Sequence, residues 1–198
     1  MRDSVLSADV RDPRLEQYAR ILIDTCVGVE PGWQVVVMAA SPARPLVEEI
    51  AAQLGARGAY ALFRQNLAGI VPWMLAAPDE LLETLAPIEA HALQNADGLI
   101  AIDAPENTRE TSAIPPERFG RIQASIRPHI ERVFTGDLKW VGCNYPTPAH
   151  AQDAGMSLRD YEDFLFGDGP HAQPRGQVGL GRRRQLQHAR RRVLLLAG

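Results

Sequence analysis

Apolar residues in this chain follow two patterns that succeed each other along its length. Between Leu15 and Cys26 they recur at three-to-four spacing, which predicts an amphipathic helix that begins at Asp12-Pro13. Residues 34–38 then form a nearly continuous apolar run, which is typical of a strand covered on both faces in a parallel sheet. Because stripes and runs keep alternating, we predict a layered α/β fold, with a mostly parallel sheet of about four strands flanked by helices.

The remaining elements are predicted from the same patterns and from their start and stop residues. Further strands are expected at 60–63, 99–102 and 139–143. Further helices are expected to begin at Ser41-Pro42, Pro78, Pro115-Pro116, Thr147-Pro148 and Ser157. The helix from Pro78 is predicted to continue through Ile88 as one element, and Ser157 with Asp160 has the spacing of a capping box.

Neither export nor membrane insertion is predicted. The residues after Met1 lack the apolar core of a signal peptide, and no apolar run approaches the roughly 20 residues that a membrane helix needs. Cys26 and Cys143 are the two cysteines of the chain, too few and too far apart for a disulfide framework or a zinc site. We therefore expect a cytoplasmic protein with no membrane partner.

Each cysteine has a structural and a reactive interpretation. Cys26 lies on the apolar face of the first helix, where a core thiol is expected. Cys143 ends the last predicted strand near Lys139, and a close ammonium group would lower the pKa of the thiol. We favour a buried and inert Cys143.

The charge of the chain is divided unevenly about residue 168. From residue 169 to 198 there are seven Arg and no acidic residue, which leaves 14 of the 21 basic residues against all 24 acidic ones in the preceding part. An acidic body binds nucleic acid poorly, so no nucleic-acid partner is expected for it. The polycationic character is confined to the tail.

Candidate catalytic and metal-binding residues are sparse. His150 and Asp153 lie one helical turn apart and could share a metal, but a metal site needs three or four converging ligands, so we favour a solvated helix face. The other histidines lack a partner at a suitable spacing: Glu89 with His91, His129 with Glu131, and the tail residues His171 and His188. The sequence itself therefore predicts no catalytic residue and no metal ligand.

One polar cluster is placed near the carboxyl end of the third predicted strand. It consists of Asp97, Asp103, Glu106 and Asn107. Ligands bind at such strand ends in open α/β sheets, although Asp and Asn also favour turns for purely local reasons. We favour the turn interpretation.

The block from Trp140 to Phe164 carries a resemblance to a known family. Its residues are Trp140, 145–149, 151–157 and 161–164, and the supporting segments in order are 15–27, 31–32 with 35–37, 46–47, 58–60 and 102–107. Over residues 12–168 the chain resembles the metallo-aminopeptidases of the aminopeptidase T and aminopeptidase S type. The block is specific, and the earlier segments corroborate it.

The resemblance implies a peptidase lineage. Such enzymes remove N-terminal amino acids from peptide substrates with a pair of divalent ions, zinc or cobalt, and tend to form homodimers. Their metal ligands and catalytic residues lie in a second, C-terminal domain, whereas this chain resembles the N-terminal one. No residue here is matched to a ligand, so no cofactor is expected for this chain and peptide hydrolysis is not expected from it alone.

We accordingly divide the chain into an N-terminal α/β domain, residues 1–168, and a poorly ordered Arg-rich tail, residues 169–198. The runs Arg182-Arg183-Arg184 and Arg190-Arg191-Arg192 with no Lys are typical of a shifted reading frame in a GC-rich gene. The first hypothesis is thus a truncated or frameshifted aminopeptidase. The alternative is a non-enzymatic interaction module whose basic tail binds an acidic partner.

Overall fold

The computed structural model describes residues 12–66 and 70–167, and it confirms the predicted α/β class. Four parallel strands form one sheet in the order β2-β1-β3-β4. The strands are β1 (Gln34–Ala40), β2 (Tyr60–Asn66), β3 (Gly98–Asp103) and β4 (Lys139–Asn144). Each predicted strand is therefore present, and each extends one to three residues beyond its predicted bounds.

Helices connect and flank the strands. They are α1 (Pro13–Arg20), α2 (Arg44–Arg57), α3 (Ile70–Ala76), α4 (Asp79–Leu82), α5 (Pro87–Asn95), α6 (Pro116–Thr135), α7 (Pro148–Asp153) and α8 (Leu158–Phe166). Short 3₁₀ turns cover Ser41–Ala43 and Glu110–Ala113. None of the described helices is long and apolar enough to cross a membrane.

The sheet separates two apolar cores. Val35, Val37 and Ala39 point from β1 into the core shared with α1 and α2, whereas Val36 and Met38 point into the core shared with α3, α4 and α6. This explains why β1 is apolar at successive positions, since alternate side chains of a strand point to opposite faces. The continuous apolar run of β1 therefore indicates a strand that is covered on both faces.

The first helix begins as predicted and then changes its winding. The Asp12 side chain accepts a hydrogen bond from the Arg14 backbone N–H at 2.9 Å, and Pro13 occupies the first helical position. From Ile21–Val27 the helix is π-helical, until Gly28 ends it at a φ of 70°. The spacing predicts the buried stripe but not this wider winding, which places Cys26 at the margin of the core.

The helix predicted from Pro78 to Ile88 is wrong as a single element. The structure ends α4 at Leu82 and begins α5 at Pro87. Pro87 disfavours helical geometry in the residue before it, and Ala86 accordingly has an extended ψ of 132°. A further helix, α3, precedes them and was not predicted, although Val71 and Met74 give it a buried face.

Candidate functional site

The sheet topology places a potential binding edge at the carboxyl ends of β1, β3 and β4. From β1 the chain moves to β2 on one side and later to β3 on the other, so the switch in direction lies between β1 and β3. Open α/β sheets bind ligands at the carboxyl ends of the strands beside such a switch. Asp103, the last residue of β3, lies at this edge.

Asp103 faces His150 across the carboxyl edge. The Oδ2 atom of Asp103 lies 3.5 Å from Nε2 of His150, and Nδ1 of His150 lies 3.2 Å from the carbonyl oxygen of Tyr145. Both neighbours carry acceptor oxygens, so each ring nitrogen of His150 can donate to its neighbour only when that nitrogen carries a proton. The His150 side chain is only 11% exposed and that of Asp103 29%.

Local sequence explains why His150 reaches this position. Thr147 caps α7 by accepting a hydrogen bond from the His150 backbone N–H at 3.1 Å, and Pro148 takes the first helical position. The cap fixes α7 directly after β4, so that His150 points back towards β3. The Tyr161 ring of α8 lies 5.9 Å from the imidazole, measured between ring centroids.

The solvated helix face favoured for His150 and Asp153 is therefore wrong for His150. Asp153 is exposed at the end of α7, whereas His150 is turned inward to Asp103. The pairing joins Asp103 at the end of β3 to His150 on α7, the helix that follows β4. Their convergence follows from the parallel order of β3 and β4, because the carboxyl ends of parallel strands meet at one edge.

The predicted cluster around Asp103 is divided by the structure. Asp97 precedes β3 and lies at its amino end, where its Oδ2 accepts a hydrogen bond from the Gln34 N–H at 2.8 Å. Its placement near the carboxyl end is wrong, because the strand separates it from Asp103. Glu106 and Asn107 are exposed, and the Asn107 side chain accepts from the Arg109 N–H in a local turn, as the turn interpretation predicts.

Cys143 is buried beside Tyr18, which lies on α1. Burial raises the pKa of the Cys143 thiol to about 12, and it also raises the pKa of Tyr18 well above its ordinary value. The Tyr18 hydroxyl donates to the carbonyl oxygen of Asn144 at 3.2 Å. Lys139 is exposed at the opposite end of β4, so the expected burial of Cys143 is confirmed, and that ammonium group is not its neighbour. Burial raises the pKa of Cys26 as well.

Helix α8 is tied to the start of α1. Arg14 forms ion pairs with Asp12 at 2.8 Å and with Asp163 at 3.4 Å. Its guanidinium carbon lies 5.0 Å from the centre of the Phe166 ring, which also makes an edge contact with Tyr18. The C-terminal part of the block 140–164 thus contacts the start of α1, through Asp163 and Arg14.

Of the other histidine pairs, the described one, Glu89 with His91, makes no joint site. Glu89 forms an ion pair with Arg64, whereas His91 contacts Asn95 on the exposed side of α5, as their spacing predicts. The His129 side chain, His171 and His188 lie outside the described residues. In residues 12–66 and 70–167, no three His, Cys, Asp or Glu side chains are grouped so that they could hold a metal ion.

A family comparison gives the class of protein. The sequence profile of the thermophilic metalloprotease family M29 matches residues 11–169. Since this match covers most of the chain, the chain belongs to the M29 family of thermophilic metalloproteases. The resemblance drawn from residues 140–164 is confirmed, and both His150 and Asp103 lie within the matched region. A search of curated protein sequences found no match.

Solved structures show the same fold. Wild-type AmpT from Thermus thermophilus matches with a TM-score of 0.61 and 22% identity, over 78% of this chain and 42% of that protein. The part of the chain that matches therefore spans less than half of AmpT. A LacI-family regulator from Corynebacterium glutamicum covers 77% of this chain and 55% of its own, at 14% identity, and its TM-score of 0.35 carries no argument.

Proposed function

We propose that this chain is the N-terminal α/β domain of a cytoplasmic, homodimeric metal-dependent aminopeptidase, a protein that removes N-terminal amino acids from peptides. The observation that carries the proposal is the M29 match over residues 11–169. We also propose that catalysis belongs to a further domain. In support of this, the match covers only 42% of AmpT. Residues 169–198 are proposed to be a separate, non-matching tail.

The described residues do not fit a pair of divalent ions. A co-catalytic pair needs several ligand atoms held around two metals, whereas Asp103 and His150 are two side chains, and no group of three that could hold a metal ion occurs in the described part of the chain. His150 also has its second nitrogen directed at the Tyr145 carbonyl oxygen. We therefore assign no catalytic step to this site and propose that Asp103 and His150 position α7 and α8 at the edge of the sheet.

The test is peptidase activity of the purified 198-residue chain. Leucine release from leucyl-4-nitroanilide is followed with added zinc or cobalt, with and without a chelator, and AmpT serves as the positive control. We expect no release above background from this chain. Release that the chelator abolishes would overturn the assignment of an incomplete peptidase.

The origin of the tail is tested separately. If residues 169–198 result from a shifted reading frame, another frame of the gene downstream of codon 168 should encode a domain with Glu and His metal ligands. Absence of such a domain from both other frames would remove the frameshift explanation. It would leave the family assignment of residues 11–169 unchanged.

The second candidate function is an interaction module, favoured by the seven Arg and the absence of acidic residues in the tail. Such a module would bind an anionic surface, and binding would weaken with salt. Neutralising Arg182-Arg183-Arg184 to Gln should reduce retention on heparin. A matched control neutralises three exposed arginines of the body, Arg20, Arg44 and Arg127, and should leave retention unchanged.

A further inference from the structure

His150 has an oxygen atom beside each of its two ring nitrogens. Its Nε2 lies 3.5 Å from Oδ2 of Asp103, and its Nδ1 lies 3.2 Å from the carbonyl oxygen of Tyr145. A neutral imidazole carries one proton, so whichever nitrogen holds that proton, the other directs a lone pair at an oxygen. An imidazolium has a proton on both nitrogens and directs a donor at each oxygen.

The position of the ring increases the energetic difference between these two forms. The His150 side chain is only 11% exposed, so water can replace little of a contact that is lost at either nitrogen. Burial by itself disfavours a charged imidazole, whereas an adjacent carboxylate favours it. Asp103 supplies that carboxylate from β3, and the Tyr145 carbonyl adds a second acceptor. The local geometry therefore fits the protonated ring better than either neutral tautomer.

The buried groups of β4, α1 and α7 near this pair do not titrate around neutral pH. Cys143 interacts electrostatically with Asp103, and burial raises the pKa of its thiol to about 12. Tyr18 interacts with Tyr161, and burial raises the pKa of Tyr18 well above its ordinary value. Burial also raises the pKa of Tyr145. These three side chains therefore stay neutral near pH 7 and do not compete with the imidazole for a proton.

The other charged side chains of α7 and α8 lie away from the ring or have another partner. They are Asp153, Arg159, Asp160, Glu162 and Asp163. Asp153, Arg159 and Asp160 are exposed, and Asp163 pairs with Arg14 at 3.4 Å. Glu162 interacts with the side chain of Tyr145. Asp103 is the carboxylate that lies directly against the imidazole.

We propose that His150 is a pH-dependent contact: protonated on both nitrogens, it holds α7 and α8 against the ends of β3 and β4, and loss of a proton weakens their attachment. The inference rests on the positioning role proposed above for Asp103 and His150, and it is independent of peptidase activity. Linkage fixes the sign of the effect. The stabilisation is fully present below the pH at which an unfolded histidine titrates, about 6.5, and is lost as pH rises and the folded ring is deprotonated.

Hydrogen exchange of the full chain tests the proposal at about pH 6 and about pH 8, after correction for the intrinsic effect of pH on exchange. The opening equilibrium of the α7 and α8 amides should be at least about threefold larger at the higher pH. The amides of α2, a helix without histidine, provide the internal reference. His150→Gln is neutral at every pH and should remove the difference. The matched control, His91→Gln on α5, should retain it.

Nuclear magnetic resonance of the His150 ring gives a second measurement, which does not require His150→Gln to fold. The ring should titrate at a higher pH in the wild type than in Asp103→Asn, because that variant lacks the carboxylate charge. Equal titration in the two chains, exchange of α7 and α8 that is insensitive to pH, or a pH response that persists in His150→Gln would each overturn the proposal.

Failure of this inference can be distinguished from failure of the positioning role. A stability cycle on Asp103 and His150 at a single pH measures whether the two side chains interact. Coupling without a pH response would leave the positioning role and remove the proton dependence. Absence of coupling would remove both, whereas the peptidase measurement bears on neither.

Discussion

Around the carboxyl end of β4, side chains from four elements contact one another, whereas along β2 an apolar strand faces solvent. We call the first region the β4 side and define it by Tyr18, Asp103, His150 and Tyr161; the second is the β2 edge, residues 60–65. Tyr161 of the β4 side is 8% exposed, and Tyr60 of the β2 edge is 71% exposed. The same residue type is therefore buried by the fold in one region and left uncovered in the other.

The two regions differ in how far their side chains are covered by contacts within the described residues. Two residues of the β4 side, His150 and Tyr161, belong to the block 140–164 that carries the family resemblance. Its polar atoms pair within the chain: His150 with Asp103, and Tyr18 with Asn144. The β2 edge has one ion pair, Arg64 with Glu89, and one side-chain hydrogen bond, from Gln65 to Ser41. Its large apolar side chains, Tyr60, Leu62 and Phe63, are exposed. The β4 side should therefore respond strongly to substitution, and the β2 edge weakly in the isolated chain.

The largest expected difference lies between the two tyrosines. Tyr161→Ala removes a buried aromatic ring and should lower the free energy of unfolding by about 3 kcal/mol. Tyr60→Ala removes an exposed ring and should change it by less than about 0.5 kcal/mol. Urea denaturation of both variants in dilute solution measures the two values. Equal effects would show that the two regions do not differ as described.

The second prediction concerns the pairing between β3 and α7. Asp103→Asn and His150→Ala should each cost about 1–2 kcal/mol of stability, because each leaves a partly buried polar partner behind. The double variant should cost less than the sum, with a coupling of about 1 kcal/mol. His91→Ala is the control: His91 is exposed on α5, and its loss should cost under about 0.5 kcal/mol. Strict additivity would contradict a direct contact between Asp103 and His150.

Much of the β4 side could be predicted from the sequence, since its signals are local. Asp12, Thr147 and Ser157 are recognisable helix caps, and each makes the expected capping hydrogen bond. The strand order could not be predicted, because pairing between strands is a long-range property. Without that order, nothing placed His150 beside Asp103.

Two errors show which further signals were available. Asp97 could have been placed correctly, since a residue before a strand lies at its amino end and the predicted strand already began after it. Pro87 could have divided the predicted helix, because proline disfavours helical geometry in its predecessor. The exposure of the β2 edge had no local signal: its apolar run resembles that of β1, and only the sheet order distinguishes an edge strand from a central one.

The third prediction tests, through pH, the contact between Asp12 and Arg14 at the start of α1. The hydrogen bond from the Arg14 side chain holds the pKa of Asp12 below its ordinary value, although burial opposes this. A carboxyl whose pKa is lower in the folded state stabilises the fold above its unfolded pKa, and this contribution is lost as pH falls through the folded pKa. Asp12→Ala should cost about 1 kcal/mol at pH 7, the usual value of a helix cap.

The measurement is the difference in unfolding free energy between wild type and Asp12→Ala as a function of pH. It should be constant from neutral pH down to about 5 and shrink below about 4, where the unfolded carboxyl begins to be protonated. Glu16→Ala serves as the control, because Glu16 is exposed and pairs only along the helix with Arg20. A difference that grows on acidification would contradict the stabilising contact between Asp12 and Arg14.

The smallest effect is expected at the β2 edge. In dilute protein, Leu62→Thr should change the free energy of unfolding by less than about 0.5 kcal/mol, because Leu62 is half exposed and Thr is well accommodated in strands. Urea denaturation measures the change. A large loss would mean that β2 is covered within the monomer and that the two regions are more alike than their exposures indicate.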